Sequence, residues 1–163
     1  MFKNPLLALL LILSSPVLFA QEKDKKEDKW DVSDPYSDDW KINEVPLKTD
    51  EGTWMNLDVS PDGKTIVFDL LGDIYTMPIS GGKAIALRTG MPFEVQPRFS
   101  PDGKKISFTS DAGGGDNIWV MNPDGSDAKQ LTKEDFRLLN NAVWTADGNS
   151  IIARKHFTSG RSL

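Results

Sequence analysis

Phe99-Ser100-Pro101-Asp102-Gly103-Lys104-Lys105-Ile106-Ser107-Phe108 carries a tight-turn tetrapeptide followed at once by an apolar, β-prone run. The same text stands at Ser60-Pro61-Asp62-Gly63, and an altered copy at Thr145-Ala146-Asp147-Gly148. Ser60, Ser100 and Thr145 are 40 and 45 residues apart. Pro presets φ for the first central residue of a type I turn, Asp bonds to nearby backbone, and Gly takes the left-handed conformation that closes the hairpin. Ala146 forgoes the unfolded-state restriction that Pro supplies, worth about 0.4–1 kcal/mol, while Asp147-Gly148 keeps the turn.

Working outward, each turn is preceded by a short apolar strand and followed by a second one (Lys64–Phe68, Lys104–Phe108, Asn149–Ala153). In the first two copies an aromatic strand comes next (Ile74-Tyr75, Ile118-Trp119). A Gly-containing turn follows (Ser80-Gly81-Gly82, Pro123-Asp124-Gly125), then an outer strand ending at Leu87 or Leu131. Four short strands per unit of about 40 residues mark the blades of a β-propeller. The spacing gives blade one over 53–88, with strands Thr53–Val59, Lys64–Leu70, Asp73–Ile79 and Lys83–Arg88. Blade two covers 94–132, with strands Glu94–Phe99, Lys104–Ser110, Asn117–Met121 and Ala128–Thr132. A partial blade three, 141–163, supplies Asn141–Thr145 and Ser150–Lys155. By the two-residue period, Met55, Leu57 and Val59 share one face, as do Val95, Pro97 and Phe99. Ile66, Val67 and Phe68 are apolar on both faces, as when a sheet meets neighbours on each side.

Leu47 precedes Ser60 by the 13 residues that separate Leu87 from Ser100, so Val45–Lys48 takes the place of an orphan outer strand. The fold expected is therefore all-β: a partial propeller of two complete blades, one orphan strand and half a third blade. Because repeat units cannot bury their faces alone, the stretch is expected to be the N-terminal portion of a longer protein or a truncated product, prone to aggregate when free.

Ahead of the propeller segment, 40–163, the chain divides in two. Lys3, the eight-residue apolar run Leu6–Leu13, the break at Ser14-Ser15-Pro16 and Phe19-Ala20 read as a cleavable signal peptide over 1–20, with Leu18 an imperfect fit to the small-residue rule. The run falls short of the roughly 20 residues that a membrane span needs, so no stable membrane anchor is expected, and the chain is placed in the periplasm or outside the cell. Residues 21–39 are rich in Asp, Glu and Lys and read as a flexible tether, with Trp30 and Trp40 read either as residues that dock back onto the fold or as exposed recognition residues.

A formal charge of −5 and no basic stripe exclude a nucleic-acid groove. The absence of Cys excludes disulfides, thiolate chemistry and an N-terminal lipid anchor on Cys. His156 is the sole His, so this stretch holds no His-x-His pair and no multi-His metal centre. Ser159 and Ser162 are near His156 but in no nucleophile-elbow pattern. Ala112-Gly113-Gly114-Gly115 lacks the strand-to-helix setting and the Lys-Ser/Thr of a phosphate cradle and reads as a flexible hairpin loop. Asp34, Asp38 and Asp39 lack the alternation of a Ca²⁺ loop. Asp62, Asp102, Asp124 and Asp147 read as turn residues. No catalytic residue, cofactor or metal ligand is assigned. Glu51-Gly52-Thr53-Trp54 and Asp69-Leu70-Leu71-Gly72-Asp73 are richer than blade turns require; Trp54 reads either as a residue at the channel mouth, where propellers bind on loops, or as core filler.

The repeat text resembles the TolB-type, WD-repeat-like propeller family, closest over Phe99–Phe108, Ile118–Met121 and Gln130–Thr132. A narrower resemblance covers Glu51–Gly82, Gln96–Asp111, Thr132–Asn140 and Ala153–Leu163, which look like the N-terminal propeller of secreted bacterial amidohydrolases. Thr145-Ala146 and the Ala-Gly-Gly-Gly stretch depart from that pattern. The resemblance implies a binding or scaffold module abutting a downstream amidohydrolase domain, with the hydrolase's own residues outside this sequence. The alternative it leaves open is a periplasmic protein-interaction propeller of the Tol envelope system or of the peptidase-gating type.

Overall fold

A computed structural model describes residues 45, 46, 48–135 and 138–157. The expected signal peptide, the tether with Trp30, Trp40 and the three Asp residues, and Ser159 and Ser162 lie outside the described residues.

Ten strands build three antiparallel sheets in chain order. Sheet one holds β1 (Leu57–Val59), β2 (Thr65–Leu70), β3 (Asp73–Pro78) and β4 (Ile85–Arg88). Sheet two holds β5 (Glu94–Phe99), β6 (Ile106–Ser110), β7 (Asn117–Met121) and β8 (Lys129–Gln130). A hairpin of β9 (Leu139–Trp144) and β10 (Ile151–Lys155) follows. The order β1-β2-β3-β4 repeats in sheet two as β5-β6-β7-β8, as in a propeller blade.

The three turns are built alike. In each, Gly donates to the Ser or Thr carbonyl (2.8, 2.8 and 2.9 Å), with φ of 70° at Gly63, Gly103 and Gly148. Ser60 Oγ donates to Asp62 Oδ1 at 2.6 Å and Ser100 Oγ to Asp102 Oδ1 at 2.7 Å; Thr145 Oγ1 does the same to Asp147. Each carboxylate also accepts the backbone N–H of Lys64, Lys104 or Asn149. These bonds, the hydroxyl first, hold the Asp62, Asp102 and Asp147 carboxyls below their ordinary value. Thr145 and Ala146 thus reproduce the turn because the Asp and Gly, with one hydroxyl, carry its geometry.

The sheets pack face to face. Val67 and Ile74 of sheet one meet Ile106, Phe108 and Met121 of sheet two, all fully buried, each removing about 1.5–3 kcal/mol of apolar exposure. Ile118, Leu139 and Ala142 form a second core between sheet two and the hairpin. Polar bonds tie neighbours at their inner strands. Asp58 Oδ2 accepts the Phe99 N–H at 2.8 Å, and Arg98 Nη1 donates to the Leu57 carbonyl at 3.0 Å. Buried Asp69 accepts from the Asn56 N–H and Nδ2 (both 2.8 Å) and, across the sheet boundary, from the Gln96 N–H at 2.7 Å. One sheet on, Gln96 Oε1 takes the Asn141 N–H at 2.7 Å and the Thr109 hydroxyl at 3.2 Å.

One expectation is corrected. Val95, Pro97 and Phe99 do not share a face, because a bulge shifts the β5–β6 register between Val95 and Arg98, with Gln96 at φ 59°. Val95 then stands opposite Thr109, and Phe99 opposite Ile106 on the other side of the sheet. Residues 45, 46 and 48 are in no strand, and the described residues hold no neighbouring strands for the expected orphan strand Val45–Lys48 to pair with; Leu47 lies outside the described residues.

Candidate binding face

Every β2–β3-type loop and every connector between sheets comes out at one end of the array, opposite the Ser-Pro-Asp-Gly turns. The end carries Trp54 ahead of β1, the Leu71-Gly72 turn, the 89–93 connector, the 111–116 loop, the 131–138 connector and His156. Leu71 and Gly72 join β2 to β3 as a two-residue turn with φ of 55° and 88°, and Leu70 pairs with Asp73 across it. Left-handed φ at both positions is the type I′ pattern, which prefers Asn-Gly. A Leu there is strained, and its side chain is 79% exposed. Trp54 is also left-handed, at φ 59°, and wholly exposed. β1 begins only at Leu57, so Trp54 is not core filler, and of the two sequence readings the loop-end position stands. β1 pairs with β2 from Leu57, opposite Phe68, and both Trp54 and Leu71 lie beyond that pair toward this end. Phe93 lies over Gly72, where an added Cβ would come 2.8 Å from its ring. Phe93, Met91 and Leu138 extend the exposed apolar character of this end.

Beneath these side chains the loops are fixed. Glu94, almost fully buried, receives Arg88 through Nη2 to Oε1 at 3.0 Å and Nε to Oε2 at 3.1 Å, and its N–H donates to the Gly72 carbonyl at 2.8 Å. Asp73 accepts the Gly90 N–H and Asp111 the Phe93 N–H, pinning both ends of the connector. Asn117, fully buried, uses its whole amide: Nδ2 donates to the carbonyls of Gly115 and Glu134, and Oδ1 accepts the Thr132 hydroxyl and the Glu134 N–H. The Ala112–Gly115 stretch is a hairpin loop, as read from sequence, but Asn117 and the Gly114 N–H to Asp111 carbonyl bond anchor it rather than leave it loose. A surface held this way loses little conformational entropy on association.

The electrostatics of this end are acidic. Burial raises the Asp116 carboxyl above its usual range, Asp111 beside it raises it further, and His156 works in the opposite sense. His156 Nε2 is 3.4 Å from Asn140 Oδ1, and its N–H donates to the Leu138 carbonyl. Lys155 is ion-paired with Glu134. Among the described residues no group of three or more His, Cys, Asp or Glu is placed to hold a metal ion. Asp62, Asp102, Asp124 and Asp147 are all at the opposite end, engaged in their turns. The arrangement offers apolar anchors on rigid loops with carboxylates at the side, which suits a polypeptide surface.

The sequence pattern of the TolB beta propeller domain matches residues 46–161. A tricorn protease homolog of Streptomyces coelicolor is 33% identical over 88 residues, which take in 54% of this chain and 8% of that protein. Among solved structures, TolB of Acinetobacter baumannii aligns with a TM-score of 0.57 at 28% identity, over 69% of this chain and 29% of its own. An Agrobacterium tumefaciens protein solved as a TolB candidate aligns with a TM-score of 0.56 at 28% identity, over 60% and 36%. The chain thus spans about a third or less of the length of each of these three proteins.

Proposed function

The chain belongs to the TolB beta propeller domain family, and from that premise we propose that it is a protein-binding propeller module that receives its partner on the loop end. The observation that carries this is the pair Trp54 and Leu71, both large, both exposed, and both held at left-handed φ where a small or polar residue would be less strained. The apolar side chains between the sheets are committed to packing; these two are not. The wording of Glu51–Gly82 supports the finer reading: in the longer protein this module precedes an amidohydrolase domain, exported with it to the periplasm by residues 1–20, and gates access to it. On that reading the chemistry belongs to the following domain, and the module itself works without cofactor or metal.

The likeness to the two TolB structures at 28% identity favours a second reading, an interaction propeller without an enzyme. The full-length gene product separates the two. Metal-dependent amide hydrolysis, lost with chelator and altered in substrate preference by Trp54→Ala, is the result expected of the enzyme's propeller. A full-length product with no hydrolysis and a partner lost on Trp54→Ala supports the second reading. Unchanged partner binding and unchanged hydrolysis in Trp54→Ala with Leu71→Asn would remove the loop end from either account.

A further inference from the structure

Arg98 is the single cation on the inner strands β1, β5 and β9, and it is ion-paired with no carboxylate among the described residues. Its place is set by backbone. Just past β1 and β5, Ser60 and Ser100 donate their N–H groups to the Thr65 and Lys105 carbonyls, across toward β2 and β6. Backbone groups alternate in direction along a strand, so the Leu57 and Pro97 carbonyls point the other way, to the unpaired edges of β1 and β5. Arg98 Nη1 donates to both, at 3.0 and 2.9 Å. The guanidinium therefore straddles two inner edges, and in a propeller those edges border the central channel. Asp58, bound in the same junction, spends Oδ1 on the Val59 N–H and Oδ2 on the Phe99 N–H.

We infer that Arg98 is an anion-binding residue of the channel wall and receives a carboxylate of the polypeptide partner, either its C-terminus or an Asp or Glu side chain. The two carbonyl bonds occupy one nitrogen. The Nε–Nη2 edge, the fork that fits a carboxylate with two parallel bonds, has no acceptor among the described residues. The protein shows elsewhere what that edge does with a partner: Arg88 holds Glu94 through Nε to Oε2 at 3.1 Å and Nη2 to Oε1 at 3.0 Å. The Leu57 and Pro97 carbonyls fix the Arg98 plane beforehand, so a carboxylate meets an ordered fork and little side-chain freedom is lost. Arg98 is also half-buried, where a charge-assisted bond is screened less than on open surface. The route of entry rests on the loop-end reading proposed above. Glu94 opens β5 at that end and Arg98 is four residues further along, about 13 Å, which an extended segment of four or five residues spans.

The test uses the full-length protein and three apolar five-residue peptides, each carrying a neutral dye at its N-terminus. One ends in a free carboxylate, one in an amide, and one in an amide with Glu at the fourth residue. Fluorescence anisotropy at low salt reads their affinities. A carboxylate-bearing peptide is expected to bind at least tenfold tighter than the plain amide. Preference for the free acid assigns the C-terminus as the source, and preference for the Glu peptide assigns a side chain. Arg98→Lys keeps the charge but loses the fork, and should cut the preference at least threefold; Arg98→Gln should abolish it. An Arg98 that only staples the strands would weaken all three peptides alike and leave their ratio unmoved. Equal affinity for all three in the parent protein overturns the inference without recourse to any variant, as does a preference that survives Arg98→Gln. The loop-end reading is judged separately, by Trp54→Ala on partner binding, so its failure is distinguishable from failure here.

Discussion

Asp69 is the residue whose loss reports most sharply on how the sheets are joined. Its carboxylate is buried in β2 and accepts three N–H groups, two from Asn56 and one from Gln96 in the next sheet. Asp69→Ala removes three bonds to a charged acceptor and leaves the Asn56 and Gln96 backbone donors without a partner. With about 1.5–3 kcal/mol for a bond to a charged group and about 1–3 for an orphaned buried donor, not additive, the loss should be about 3–5 kcal/mol. Asp69→Asn keeps the shape but must turn its NH2 either toward the Asn56 backbone N–H or toward Asn56 Nδ2 and the Gln96 N–H, so about half that loss is expected. Urea unfolding gives the total, and amide hydrogen exchange gives the place. Protection at Gln96, in a different sheet from the substitution, should fall at least tenfold, since 1.4 kcal/mol is a factor of ten. A loss under about 1 kcal/mol with Gln96 exchange unchanged would refute the account of the junction.

Other substitutions separate strain from contact. Leu71→Asn places a preferred type I′ residue at φ 55° and should stabilise the fold by about 0.5–1 kcal/mol while weakening partner capture; thermal melting and binding read the two separately. Gly63→Ala, where φ is 70° and the space is open, should cost only the left-handed penalty of about 1–2 kcal/mol. Gly125→Ala meets the same penalty at φ 84° and would also bring Cβ to 2.5 Å from the Leu87 carbonyl oxygen, so it should cost clearly more in the same urea titration. The pH profile has two opposed limbs. The turn carboxyls of Asp62, Asp102, Asp124 and Asp147 titrate lower folded than unfolded, so their stabilisation is present above the ordinary value of 3.8 and fades as pH falls below it. Asp116 titrates higher folded than unfolded, so the native state holds its proton longer and stability falls as pH rises from 3.8 through its raised value. Asp116→Asn should therefore stabilise at neutral pH and abolish that falling limb, as followed by melting temperature against pH.

The repeat was readable because its turn is local: Ser, Asp and Gly close it with their own atoms, so the text and the geometry coincide three times over. The strand order followed from the period. What the sequence hid depends on partners elsewhere in the fold. The bulge at Gln96 has no Gly or Asn-Gly signal; it forms because Asp69 of the previous sheet supplies an acceptor for its N–H. Asn117 looks like any polar residue beside a Gly-rich loop until Gly115 of that loop and Glu134 of the connector after β8 are both found bonded to it. Glu94 could not be recognised as buried without Arg88 beside it. Trp54 was visible as an excess residue at the loop end, but only the late start of β1 decided between core and surface.

The central claim is that the loop end, and not the turn end, meets the partner. Photo-crosslinking residues placed singly at Trp54, Leu71 and, as control, exposed Ile79 in the β3–β4 turn of the full-length protein in its native host test this directly. The account expects crosslinks to a common polypeptide, or to a following domain of the same chain, from positions 54 and 71 and none from 79. Crosslinks from 79 alone, or from none of the three, would contradict it.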